Sequence, residues 1–176
     1  ARTYCANIIV FVFLFCISIT QGGDILVGHL VGQRRHQAAY ILGNFFYRWS
    51  MIITLTGSAL LAVFGRPILS AFTDNEEIIT MGVWVFVVDF FLEIGRVSNI
   101  FACGTLRATG DAVYPVVIGV IFQWVVAVGV SYVIGIPLGY GLVGMWIGFA
   151  LDENIRGVVL MRRWKSGKWR SKGFVK

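Results

Sequence analysis

Lysine is missing from the first 161 residues of this 176-residue chain; its four lysines all lie between 162 and 176. Charge of either sign is scarce: 14% of residues are charged and 57% are hydrophobic, with a mean hydropathy of +0.79. An ordinary soluble domain is about half apolar and about a quarter charged. That imbalance excludes a disordered chain, and the composition also excludes a collagen-like one. Cysteine is too rare for a disulfide-stapled module: Cys5, Cys16 and Cys103 are odd in number, widely spaced and set in apolar runs, which suits free thiols buried in membrane segments. Metal-ligand spacing is lacking too, since no Cys-x-x-Cys occurs and His29 and His36 have no ligating neighbours in the sequence. A basic leader with a small-residue cleavage site is likewise not evident, and the start reads as a truncation of a longer protein.

What is present is apolar length. Five stretches, about 6–31, 40–65, 79–105, 114–136 and 141–161, each reach the ~20 residues a membrane-crossing helix needs. They lack the period-2 alternation of a porin-type barrel, so the expected fold is all-α, a polytopic membrane bundle of five helices. Pro67, Pro115 and Pro137 fall at segment ends, where a missing amide donor is tolerated. Trp49, Trp124, Trp146, Trp164 and Trp169 lie mostly near the ends, as interfacial anchors would, and Trp84 sits early in the third span. Gly28-x-x-x-Gly32 and Gly144-x-x-x-Gly148 offer flat surfaces for close helix approach.

The net charge of +6 is not spread evenly: residues 162–176 carry seven basic groups and no acid, while the rest holds eight arginines against nine acids. Loop one carries Arg34 and Arg35, loop three Arg107, and loop two the acidic run Asp74–Glu77. Basic groups in alternate loops and the tail put the C-terminus in the cytoplasm and the visible N-terminus outside, with Arg2 and Arg66 against the trend. The tail is expected to touch anionic lipid headgroups rather than nucleic acid.

Ionisable residues inside the spans are the informative ones, since each costs roughly 2.5 to 3.5 kcal/mol at a helix centre. At about 100° per residue, Asp89, Glu93, Arg96, Ile100 and Cys103 share one face of the third span, with Asn99 at its edge. Glu93 with Arg96 reads either as a structural ion pair or as part of a site whose proton or cation occupancy changes; two carboxylates against one arginine leave one acid without an internal counter-charge. In the last span Asp152 and Arg156 form an i,i+4 pair, Glu153 points about 100° away and needs another partner, and a structural charge network is favoured there. Asp24, after Gly22-Gly23, suits ion contact or interface packing equally. Arg48 reads as a snorkelling residue, and Gln123 as reaching a cavity or, preferably, a neighbouring helix.

Three segments carry a specific signal: Ile25–Gln33 before the first basic loop, Leu106-Arg107-Ala108-Thr109-Gly110-Asp111 closing the third span, and Asp152-Glu153-x-x-Arg156-Gly157 followed by Arg163-Trp164. In that order and at those separations the chain resembles the C-terminal half of multidrug and toxic compound extrusion transporters, over essentially all its length. The resemblance implies helices eight to twelve of a twelve-helix, two-lobe membrane protein, with the N-terminal lobe of the same protein as partner. It implies export of small organic, mostly cationic compounds coupled to inward H⁺ or Na⁺, no cofactor beyond that ion, and residence in the cell membrane. An acid on the tenth helix contributes to the cation site in the sodium-type branch. Its position falls nearest Arg96, so either Glu93, with Asp89 behind it, has taken over a possible Na⁺ there, or a different site is used.

Rival readings are a lipid-linked oligosaccharide flippase of the same superfamily, which would need a more cationic cavity, and a non-transporting membrane scaffold. An enzyme finds little support: Gly22-Gly23-Asp24 only faintly resembles an intramembrane aspartyl protease, because Gln21 stands where that motif has glycine. Alternating access between two lobes is the expected mechanism.

Overall fold

Long apolar runs in lipid fold as helices because only a helix satisfies every backbone amide within its own segment. The computed structural model follows that rule over its described residues, 2–172. The side chains of Arg2 and Cys5, and Lys176, lie outside the described residues. The chain is an all-α polytopic bundle: α1 (Arg2–Gly32), α2 (His36–Ser70), α3 (Glu76–Ala108), α4 (Val113–Gly135) and α5 (Gly141–Lys165), then a short 3₁₀ turn, Lys168–Ser171. Among the described residues, four helices are long and apolar enough to cross a membrane; α5 stands outside that group because Asp152, Glu153 and Arg156 interrupt it.

Local chemistry sets the boundaries. The Asn75 carboxamide oxygen caps α3 by accepting from the amides of Glu77 and Ile78, at 3.0 and 3.2 Å, and Glu76 and Glu77 complement the positive end of the helix. Arg66 reaches across to Glu76 at 2.8 Å. Pro67 departs from the sequence reading: it lies inside α2, which runs on to Ser70. So near the C-terminus its ring removes a single hydrogen bond, and Ser70 Oγ donates to the Pro67 carbonyl at 2.9 Å. In α4, residues Gln123–Val130 wind as a π-helix between two α-helical pieces.

α3 is the hub, packed against α5, α2 and α1, while α4 leans mainly on α5. Two apolar cores lie at opposite ends. One joins Val27, Phe101, Leu106, Leu160, Trp164 and Trp169; the other joins Ile9, Leu69, Phe86, Leu92 and Trp146. Between them α3 and α5 meet backbone to backbone, since a Cβ on Gly95 would overlap the Asn154 amide and the Glu153 carbonyl carbon. Large apolar side chains cover the outside, Val63 (73% exposed) among them. Apolar surface of this extent suits contact with lipid or with other membrane helices rather than with water.

The tryptophans divide. Trp49, Trp84 and Trp124 are exposed, as anchors would be, but Trp146, Trp164 and Trp169 are buried. The anchor reading fails for those three because packing partners outcompete the interface. Trp164 and Trp169 stack with centroids 4.7 Å apart, Tyr40 stacks on Trp164, and the Trp169 indole donates to the Trp164 carbonyl at 3.0 Å. The glycine pairs divide as well. Gly144 and Gly148 both seat α5 against the end of α4, and Gly28 packs on Ala108, but nothing approaches Gly32.

Candidate functional site

Spacing along α3 brings its polar stripe together as the 3.6-residue period requires. Arg96 pairs with Glu93 one turn back, and a second guanidinium nitrogen lies 4.0 Å from Asp89 Oδ1. Asp89 and Glu93 are buried and Arg96 nearly so. The guanidinium also sits over the Phe13 ring of α1, 5.2 Å from its centroid, an attraction strengthened by desolvation.

α5 contributes a second set. Arg156 bonds Asp152 at 2.5 Å and Glu153 at 3.2 Å, and Asn99 of α3 donates from Nδ2 to Glu153 Oε2 at 2.7 Å. Asn99 is thus the other partner that Glu153 needs, and the two helices' charge clusters lie side by side, with Arg96 and Glu153 lining the same cavities. Asn154 adds a further tie, donating to the Phe91 carbonyl at 2.9 Å.

The network is left incomplete in a particular way. It holds four carboxylates, Asp89, Glu93, Asp152 and Glu153, against two guanidiniums. Both Asp89 oxygens, Glu93 Oε2 and Asp152 Oδ1 are buried without a hydrogen-bond partner. Trp146 Nε1 approaches Asp89 but closes no hydrogen bond to it. Carboxylate oxygens in that condition are acceptors open to a proton or a small cation. Sequence reasoning missed the hydroxyl column of α2: Ser50, Thr54 and Ser58 are fully buried, and Thr54 Oγ1 and Ser58 Oγ also lack partners. Antiparallel packing, marked by Gly65 against Phe86 and by Tyr47 Oη 3.0 Å from Ser98 Oγ, sets Thr54 and Ser58 level with Glu93 and Asp89. The regular four-residue spacing of these hydroxyls was the available signal.

Two cavities share the wall formed by Arg96, Trp146 and Glu153. The larger, about 360 Å³, is otherwise lined by Ile9, Val10, Phe13 and Ile100. The smaller, about 140 Å³, is bounded by Leu92, Gln123, Ala127, Phe149, Asp152 and Arg156, so Gln123 does reach a cavity edge. Asp24 stands apart: its carboxylate lies where a Cβ on Gly104 would be, and Gly104 is eleven residues, about 16 Å of helix, from Glu93. Its Oδ1 is buried without a partner. At the basic end, Arg163 Nε bonds Asp111 Oδ2 at 2.7 Å and its guanidinium lies 4.7 Å from the Tyr114 ring centroid. That hydrogen bond raises the Arg163 guanidinium above its ordinary value.

Comparison with known proteins places this geometry in context. The MatE family profile matches residues 1–140. Among curated proteins, the chain is 36% identical over 174 residues to a Bacillus subtilis protein named uncharacterized transporter YisQ, covering 99% of this chain and 38% of that protein. It is 27% identical over 169 residues to a probable multidrug resistance protein NorM of Thermotoga maritima, covering 93% and 35%. A multidrug resistance protein NorM of Aliivibrio fischeri is 24% identical over 156 residues, 86% of this chain and 34% of that protein. The chain therefore spans little more than a third of the length of these relatives. No solved structure gives a significant match.

Proposed function

The chain belongs to the MatE family, and from that premise we propose that it is the C-terminal half of a multidrug efflux transporter driven by cation antiport. The observation that carries the reading is the α3–α5 charge cluster: four carboxylates, three of them buried, against two arginines, with unpartnered oxygens beside an amphipathic cavity. Glu93 is the coupling residue, with Asp89 behind it and Arg96 as the fixed counter-charge. H⁺ or Na⁺ occupies the spare carboxylate oxygens, beside the hydrogen bond by which Asn99 ties α3 to Glu153 on α5. The larger cavity, with an arginine, a glutamate and two aromatic rings in its wall, receives a small organic cation. The N-terminal lobe of the same protein completes the pathway.

The mechanism is alternating access. An ionised carboxylate set attracts the cationic drug; proton or Na⁺ uptake removes that attraction and shifts the balance between the two open states. Orientation follows from charge: Arg34, Arg35, Arg107 and the tail gather at one end, which is cytoplasmic, and Asp74 and Glu77 lie at the other. Asp24, near the cytoplasmic end of α1, lies outside this coupling set.

The test is Glu93→Gln in the full-length protein, which keeps the shape and removes the charge. Ion-driven dye efflux from cells or proteoliposomes, compared at equal expression, is expected to fall to near background. Efflux equal to wild type removes Glu93 from the coupling role.

A further inference from the structure

A crevice at the basic end, separate from the charge network, lies between α2 and α5 with α3 as its floor. Its volume is about 310 Å³, and its polar lining is Tyr47, Ser98, Asn154, Arg162 and Lys165. Gly95 and Gly157 form the floor, where a Cβ on Gly157 would come 2.8 Å from the Gly95 carbonyl. From Asn154 to Lys165 is eleven residues of α5, about 16 Å along the axis. Ile94, Val158 and Met161 make the wall between those limits apolar.

Polarity therefore changes along the crevice. The outer end carries Arg162 and Lys165, three residues apart on one face of α5, and neither forms an ion pair among the described residues. Their neighbour Arg163 points elsewhere and is already committed to Asp111. The inner part is a slot with an aliphatic strip, Ile94, Val158 and Met161, beside Tyr47, Ser98 and Asn154, whose polar groups are already hydrogen-bonded within the protein; Val158 is 52% exposed. A pair of unpaired cations above such a slot matches one class of ligand: an amphiphile with an anionic head and hydrocarbon chains.

We propose that this crevice is a binding site for one anionic glycerophospholipid, its phosphate held by Arg162 and Lys165 and the start of an acyl chain lying against Ile94, Val158 and Met161. Basic pockets between membrane helices on the cytoplasmic side bind such headgroups, and this assignment rests on the orientation given above. It differs from diffuse attraction by the tail, because only two of the tail's cations line the crevice. A bound lipid would add to the direct contacts of α2 with α5, which Trp164 makes with Tyr40 and Asn44.

The experiment uses the full-length protein, delipidated in detergent and titrated with phosphatidylglycerol, with phosphatidylcholine and with inorganic phosphate, bound lipid being counted by native mass spectrometry. Three variants accompany the wild type: R162Q/K165Q; K168Q/K172Q, which removes the same charge from exposed tail positions; and Val158→Trp, which blocks the slot and keeps both cations. Phosphatidylglycerol affinity is expected to fall about tenfold or more in R162Q/K165Q, from two lost charge-assisted contacts. It is expected to fall in Val158→Trp as well and to hold in K168Q/K172Q. Equal losses in the two double variants assign the binding to diffuse charge and overturn the site. So does equal binding of phosphatidylcholine, or displacement of the lipid by millimolar phosphate. If R162Q/K165Q cannot be purified folded, Val158→Trp decides: unchanged affinity there overturns the proposal. Dye efflux plays no part in this readout, so its loss would bear on the transport reading alone.

Discussion

Asn99 on α3 donates to Glu153 on α5 across 2.7 Å, a hydrogen bond that ties α3 to the charge cluster of α5 beside the Glu93–Arg96 pair. An amide is suited to the junction because it donates without adding charge. Asn99→Leu leaves Glu153 with Arg156 as its remaining partner. The expected cost is about 1–3 kcal/mol from the unsatisfied carboxylate oxygen, measured as a lower midpoint of thermal unfolding in detergent. Ion-driven efflux should fall as well. A variant with the wild-type midpoint and wild-type efflux would mean that this bond supports neither the fold nor the coupling.

Arg96 is the counter-charge for two carboxylates, so its removal should do more damage than its own loss of contacts. Arg96→Gln strips Glu93 and Asp89 of their shared cation, a change on the order of 3–5 kcal/mol when one member of a buried pair is deleted. Glu93→Gln added to Arg96→Gln removes one of the stranded charges. The double variant should therefore be more stable than Arg96→Gln alone, by an interaction energy of about 1–3 kcal/mol in a double-mutant cycle. Additive losses would mean that the pair is not coupled.

Much of this molecule could be read from its chain. Apolar runs located the five helices, and the 3.6-residue period placed Asp89, Glu93 and Arg96 on one face with the right pairings. What periodicity cannot supply is the neighbour across the interface. It found that Glu153 needed a partner and could not name Asn99; it also had no means to put Phe13 under Arg96. Asp24 shows the same limit from the other side, because a buried acid in a span could join any polar group until packing set it against Gly104. Composition misread Trp164 and Trp169, since position near a helix end suits an interfacial anchor and a core plug alike. The π-helical winding at Gln123–Val130 left no mark in residue type.

The approach of α3 to α5 rests on Gly95. Gly95→Ala puts a methyl group into the backbone of Asn154, so the helices must part and the Asn99–Glu153 bond must lengthen. A loss of about 1–3 kcal/mol is expected, the usual penalty for overpacking a tight contact. Gly22→Ala is the control, because nothing lies within 4 Å of a Cβ there. It should be neutral or stabilise α1 by about 0.5–1 kcal/mol through helix propensity. Thermal unfolding of the two variants side by side checks both signs.

Trp169 lies beyond the last long helix, yet it is completely buried and belongs to the same apolar core as Val27, Phe101 and Leu160. Its ring is held from several sides: stacked on Trp164, edge-on to His36 at 6.0 Å, and beneath the Arg170 guanidinium. The 3₁₀ turn that carries it starts after Gly167, whose φ of +68° lets the chain reverse. Truncation to alanine empties that volume and unties the segment after α5 from the start of α2, so Trp169→Ala should cost about 3–5 kcal/mol. Lys172→Ala, at an exposed position, should cost nothing measurable. Limited proteolysis after residue 165 gives an independent readout, with faster cleavage in Trp169→Ala than in wild type. Equal cleavage and an unchanged midpoint would mean that the tail's tryptophan fills the core without holding it together.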